Sequence, residues 1–308
     1  MTMPPVLQIG EFPAAVQTMI GERFALRTLA EVDADDALRA RIGAIVTRSN
    51  YDIDEALIAR LPSLRIVATS GVGFDRIPVA YARERGVVVT NTPDLLNAAV
   101  AELTIGLMLA LLRRLPMADR FTRSGAWTRG AFPLGSSLAG KRVGIVGMGR
   151  IGREIARRLM PFDVSIAYFG RSRQALDFPY FSDVIELAGW SDVLIASCPG
   201  GRETRHLIDA AVLDALGPNG MLVNIARGSV VDEAALVTAL ARNAIAGAAL
   251  DVFEHEPLAD SPLCGFEQVV LSPHIGSATH ETRLAMARLM IDNVLAVFET
   301  GKGITVVE

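Results

Sequence analysis

The sequence predicts an α/β protein made of two parallel-sheet units. Three observations carry that expectation. Short apolar runs alternate with helix-patterned segments along the whole chain, the pattern of strands joined by helical crossovers. Two glycine turns, Ser70-Gly71-Val72-Gly73 and Gly147-Met148-Gly149-Arg150-Ile151-Gly152, each follow an apolar run directly. The chain has 308 residues, 51% hydrophobic and 21% charged, enough for two cores and too apolar for a disordered chain.

The first unit opens with residues 6–9 and 42–47, apolar runs of strand length with helical patterning between them. Residues 64–69 and 87–90 add two strands around a helical 75–85. Residues 97–112 form an apolar helix interrupted by Glu102 and Thr104, expected to be buried all round at a domain boundary or subunit interface. Residues 119–138 lack a period and read as a loop or arm, with Trp127 and Phe132 as aromatic anchors. Later runs at 193–197, 220–225, 246–250 and 269–271, with helices such as 232–242 between them, continue a doubly wound sheet. An amphipathic helix over 282–298 closes the chain, and neither repeats nor a low-complexity linker interrupt it.

The stretch 140–173 is the centre of the second unit. Val143-Gly144-Ile145-Val146 has the β-branched content of a buried parallel strand. The glycine turn follows at once, then a helix over 154–160 ended by Pro161, then a second strand over 164–169. In that βαβ setting Gly147 makes the tight turn, Gly149 lets the backbone approach a pyrophosphate, and Gly152 lets helix and strand pack closely. The helix start, with Arg150 and Ile151, offers free N–H groups and a positive dipole end to phosphates. A glycine motif in this position is a specific sign of dinucleotide binding. An acid for the ribose 2′-hydroxyl of NAD is expected about 20 residues beyond the first glycines. Gly170-Arg171-Ser172-Arg173 stands there instead, and two guanidiniums with a hydroxyl suit a 2′-phosphate. The expected cofactor is NADP, with NADPH preferred over NADH.

A net charge of -4 gives no electrostatic reason to expect nucleic acid or an anionic membrane surface as partner. Cys198 and Cys264 lack ligand spacing and read as reduced, buried thiols, so no metal site and no disulfide framework is expected. The start, Met-Thr-Met-Pro-Pro, has no basic and apolar leader pattern, and the longest apolar run, 103–112, is too short for a bilayer. A cytoplasmic protein is expected.

Three strand ends carry polar residues that packing does not require: Asn224-Ile225-Ala226-Arg227-Gly228, Asp251-Val252-Phe253-Glu254-His255-Glu256-Pro257 and Ser272-Pro273-His274-Ile275-Gly276. Arginine, carboxylate and histidine at one sheet edge near a dinucleotide suit proton and hydride transfer. Singly, each has an ordinary reading. His274 fits a satisfied loop histidine, Arg227 a helix cap or a partner of Asp232, Glu256 a solvated turn residue. His206, His255 and His280 read as surface or structural. The turn at Val72 and Gly73 fits either a carboxylate held by backbone amides or a plain tight turn.

The motifs GMGRIG, NIARG, DVFEHEP and SPHIGSAT, preceded by SGVGFD and NTPD, resemble those of the D-isomer-specific 2-hydroxyacid dehydrogenases, in order over nearly the whole chain. Within that family the likeness is to glyoxylate/hydroxypyruvate and hydroxyphenylpyruvate reductases. The resemblance implies His274 as general acid, Glu256 holding its imidazole, and Arg227 holding the substrate carboxylate with the amides of Val72 and Gly73. It implies Asp251 orienting the nicotinamide carboxamide, with Cys198, Pro199, Thr204, Ile225, Ala226 and Gly276 among the cofactor contacts. It further implies a Rossmann-type domain over 98–277 and a smaller flavodoxin-like substrate domain, discontinuous over 1–97 and 278–308. A homodimer follows, with Trp127 reaching a substrate pocket. The implied reaction is NADPH-dependent reduction of a small 2-oxo acid to the D-2-hydroxy acid. The alternatives are an NAD-linked dehydrogenase of the same family and a nucleotide-binding, corepressor-like scaffold. Formate dehydrogenase, with Gln where Glu256 stands, fits less well.

Overall fold

The computed structural model describes residues 3–307. Met1, Thr2 and Glu308, which the expected leaderless start and outer domain bounds include, lie outside the described residues. The chain divides into two compact units, one formed by the chain up to Leu96 with the chain from Ser277 onward, the other by Asn97–Gly276.

In the first unit, β1 (Val6–Gln8), β2 (Leu26–Arg27), β3 (Ala44–Arg48), β4 (Ile66–Ser70) and β5 (Val88–Thr90) are all parallel, in the order β2-β1-β3-β4-β5. This is the flavodoxin-like order. Alternation along the strands feeds two layers. Ala44, Val46, Ile66 and Ala68 pack with Ala287, Met290 and Ile291 of the last helix, while Ile45, Val67 and Val89 pack on the opposite face. The last helix, His280–Thr300, is longer at both ends than 282–298. The Thr279 side chain accepts from the Thr282 amide at its start, and Gly301, at φ 78, ends it. The expected helix over 75–85 is only Val79–Glu84, because Pro78 biases the residue before it away from helical backbone.

In the second unit seven parallel strands follow: β6 (Arg142–Val146), β7 (Ser165–Phe169), β8 (Tyr180–Phe181), β9 (Val193–Ala196), β10 (Met221–Asn224), β11 (Gly247–Leu250) and β12 (Val269–Leu271). Their order, β12-β11-β10-β9-β6-β7-β8, is the Rossmann order with one strand added at the far edge. The order reverses between β6 and β9. Every residue of β9 and β11 is buried, as a sheet covered on both faces requires.

Four further expectations need correction. Helix Asn97–Leu112 is not buried all round: Ala98, Glu102 and Gly106 form an exposed stripe at helical spacing, and Glu102 pairs there with Arg158 at 3.1 Å. Residues 119–138 are not uniformly irregular, since Leu115–Arg123 is a helix and Ala126–Thr128 a 3-10 turn. None of that helix is fully buried, and its apolar stripe, Met117, Ala118 and Phe121, is too short to stand out beside the irregular stretch that follows. The helix after the glycine turn spans Arg150–Leu159 rather than 154–160, because it starts inside the motif with Gly149 as its cap. Cys264 is exposed; in its 3-10 turn, Pro262–Gly265, Leu263 takes the buried position.

Candidate active site

The glycine turn lies where the second sheet reverses. Gly147 has φ 101, a region that glycine alone enters without strain, and a Cβ there would stand 2.6 Å from the Cys198 backbone. A Cβ on Gly152 would stand 2.2 Å from the Gly147 carbonyl oxygen, which also accepts from Ser197 Oγ at 2.7 Å. Gly149 by contrast faces open space beside the N–H groups of the helix start. Burial pushes the Cys198 thiol up to about 11, so it stays protonated and unreactive at neutral pH. Beyond β9, Thr204 Oγ1 donates to the Pro199 carbonyl at 2.6 Å and closes that loop. Ile225 and Ala226 are buried just past β10.

At the end of β7, Arg171, Ser172 and Arg173 are exposed. Two tyrosines shape their loop: Tyr168 Oη accepts from the Gln174 amide at 2.7 Å, and Tyr180 Oη donates to the Gly170 carbonyl at 3.2 Å. Among the described residues the two arginines make no ion pair.

Three adjacent strand ends bring the remaining polar residues together. Asn224 turns the chain after β10, its Oδ1 accepting from the Ala226 amide and its Nδ2 donating to the Arg227 carbonyl, both at 3.0 Å. Arg227 Nη1 donates to the Ala226 carbonyl at 2.9 Å, and the side-chain stem crosses Gly200, where a Cβ would lie 2.7 Å away. A Cβ on Gly228 would fall 1.8 Å from the Phe253 carbonyl carbon, so the loops after β10 and β11 meet backbone to backbone.

Asp251, 2% exposed, clamps the loop after β12. Its Oδ1 accepts from Ser272 Oγ at 2.6 Å and the Ile275 amide at 2.8 Å, and its Oδ2 accepts from the Gly276 amide at 2.8 Å. Burial pushes this carboxyl above its ordinary value, although the donors and the His274 charge pull the other way. The clamped loop holds His274 at φ 52, and its Nδ1 lies 2.6 Å from Glu256 Oε2. Glu256 Oε1 accepts from the Phe253 amide at 3.1 Å. Burial raises Glu256, but the hydrogen bond and charge of His274, the Phe253 amide and the Arg227 charge outweigh it and hold the carboxyl below its usual range. With Nδ1 engaged, Nε2 is the ring nitrogen that can exchange a proton with a ligand.

This depression has a sign that can be tested. The stabilisation from ionised Glu256 is complete above the ordinary glutamate value of about 4.3 and is lost as pH falls through the lower folded value. Glu256→Gln should therefore lower the melting temperature relative to the parent protein at neutral pH, with the gap closing below about pH 4. A gap independent of pH would show that no charge is involved.

His206 joins the site without any signal in the sequence. It has φ 50, its amide donates to the Ser229 carbonyl at 2.8 Å, and its Nε2 lies 2.6 Å from Glu254 Oε1. Asp232 Oδ2 is 3.8 Å from Nδ1, while Asp232 Oδ1 caps helix Glu233–Ala241 through the Ala235 amide at 2.9 Å. His206 thus ties the loop after β9 to those carrying Arg227 and Glu256. His255 and His280 are exposed.

In the first unit, Val72 and Gly73 follow β4. Gly71 exchanges hydrogen bonds with Thr92, amide to Oγ1 at 2.9 Å and carbonyl to amide at 2.8 Å, and Asn91 Nδ2 donates to the Val72 carbonyl at 2.8 Å. These bonds do not use the amides of Val72 and Gly73. Trp127 is 69% exposed, on an arm braced by Phe121 against Phe132 with centroids 5.3 Å apart.

Residues 105–276 match the family model described as D-isomer specific 2-hydroxyacid dehydrogenase, NAD binding domain. The chain is 49% identical to hydroxyphenylpyruvate reductase of Plectranthus scutellarioides, over 85% of this chain and 84% of that protein. It is 48% identical to glyoxylate/hydroxypyruvate reductase A of Arabidopsis thaliana, over 86% of this chain and 85% of that one. Among solved structures, the NADPH-dependent glyoxylate/hydroxypyruvate reductase of Sinorhizobium meliloti, in complex with NADP and malonate, superposes with a TM-score of 0.92 at 45% identity, covering 99% of this chain and 97% of that one.

Proposed function

The chain belongs to the D-isomer specific 2-hydroxyacid dehydrogenase family, and on that premise we propose that it reduces small 2-oxo acids, such as glyoxylate or hydroxypyruvate, to D-2-hydroxy acids with NADPH. The observation that carries this reading is the His274–Glu256 pair at 2.6 Å, at the same sheet edge as Arg227 and the glycine turn.

The chain's residues fit a dinucleotide. Gly149 admits a close approach to its backbone, the helix start supplies N–H donors, and Arg171, Ser172 and Arg173 offer charge and hydrogen bonds to a 2′-phosphate. The loops through Cys198, Pro199, Thr204, Ile225, Ala226 and Gly276 complete the cofactor's lining. When bound, NADPH supplies the hydride. His274 Nε2 delivers the proton to the carbonyl oxygen, and Glu256 fixes the tautomer by accepting from Nδ1. Arg227 holds the carboxylate through its guanidinium fork. Asp251 acts first through the His274 loop, since three protein donors already occupy its oxygens, and it meets the carboxamide with the lone pairs they leave.

The second unit is then the dinucleotide domain and the discontinuous first unit the substrate domain, with the amides of Val72 and Gly73 as its candidate carboxylate donors. The same reading makes the protein a cytoplasmic homodimer. The exposed apolar arm with Leu115, Trp127 and Leu134 supports the dimer, and the unpaired Cys198 and Cys264 support the compartment. Among the described residues no helix is long and apolar enough to cross a membrane.

Arg171→Ala tests the cofactor assignment. One charge-assisted contact is worth about 1.5–3 kcal/mol, so KM for NADPH should rise about 10- to 100-fold more than KM for NADH. Equal rises for both cofactors would remove the 2′-phosphate from the role given to this loop.

A further inference from the structure

We propose that Arg48 and Arg283 form an anion subsite in the first unit, one that takes the second carboxylate of a 2-oxo dicarboxylic acid; this rests on the 2-oxo acid reading above. Arg48 ends β3, and strand alternation puts it on the sheet face of Ala44 and Val46. Those residues share one packed layer with Ala287, Met290 and Ile291 of the last helix. Arg283 stands one turn before Ala287 and continues the same helix stripe. The two guanidiniums therefore finish one layer at the carboxyl edge of the parallel strands, where ligands of open α/β sheets bind.

Neither arginine has a carboxylate partner among the described residues. Arg48 Nη1 donates to the Glu11 carbonyl at 3.1 Å, and its Nε is buried without a partner. Among the described residues the Arg283 side chain makes no hydrogen bond or ion pair, and burial together with the Arg48 charge holds its guanidinium down to about 10. Its place in the first turn of the helix adds the unfavourable positive dipole end. Packing two like charges this way costs stability that an apolar residue at either position would not cost. An incoming carboxylate reverses that balance, accepting from two planar forks at once. The subsite also adjoins the turn after β4. Ser49, next to Arg48, lies against Gly71, where a Cβ would be 2.6 Å from Ser49 Oγ. A 2-oxo dicarboxylate can place its first carboxylate on the Val72–Gly73 amides and its second on the arginines.

The test compares kcat/KM for 2-oxosuccinate and 2-oxobutyrate, which have equal chain length and differ in a terminal carboxylate against a methyl group. The parent protein should favour the diacid. Arg283→Met and Arg48→Met should each cut the diacid-to-monoacid ratio about 10- to 100-fold, and Arg283→Lys should keep part of it. No preference in the parent protein, or a ratio unmoved by both methionine variants, would overturn the subsite. Should Arg283→Met fail to fold, Arg48→Met and Arg283→Lys decide by the same ratio. If no 2-oxo acid is reduced at all, the reaction assignment fails by itself, and thermal protection by succinate decides the subsite. Protection of the parent protein but not of Arg283→Met would support it, and equal protection would overturn it.

Discussion

His274→Ala is expected to lower kcat by about 10²- to 10⁴-fold, the range a positioned general acid contributes, while NADPH still binds. The separation follows from how the residue is held. Asp251 grips the loop through Ser272, Ile275 and Gly276, none of which the substitution touches. The glycine turn follows β6, away from the change in sequence. Alanine at φ 52 brings some backbone strain of its own. His274→Asn, better suited to left-handed backbone, separates the lost imidazole from that strain. Single-turnover rates and fluorescence titration with NADPH read the two effects. Unaltered turnover in both variants would remove His274 from the mechanism.

Arg227→Ala should lower kcat/KM for 2-oxo acids by about 10²- to 10⁴-fold, the loss of two charge-assisted hydrogen bonds at roughly 1.5–3 kcal/mol each. Arg227→Lys should recover only part of this, because an ammonium offers a point charge without the planar fork. A second effect distinguishes substrate binding from a scaffold role. Arg227 contributes to holding Glu256 below its usual range, so removing its charge should shift the acid limb of the pH–rate profile upward. Unchanged kcat/KM in Arg227→Ala would count against both functions.

Legibility in the sequence followed physical scale. The buried strands of the second unit stood out because both faces are covered, so their sequences are continuous apolar runs. The glycine turn was legible because positive φ at Gly147 and the close approach at Gly152 admit little else. Leu26–Arg27 and Tyr180–Phe181 were not, since two residues cannot display a period. Helix Leu115–Arg123 buries no residue fully and is held by local features such as the Asp119–Arg123 pair at 2.8 Å. Arg227, Glu256 and His274 could be singled out at strand ends, yet their spacing in the chain does not encode the contact at 2.6 Å. That contact depends on Asp251 and on Gly228 lying against Phe253. The role of His206 was beyond reach from sequence, because Glu254 and Asp232 reach it from two other loops.

The stereochemistry of the product tests the reaction assigned to this chain. The protein should be incubated with NADPH and hydroxypyruvate, and the glycerate formed resolved by chiral chromatography against the NADPH consumed. Equal amounts of D-glycerate formed and NADPH oxidised are predicted. The L enantiomer, or no oxidation of NADPH by a protein that binds it, would overturn the assigned reaction.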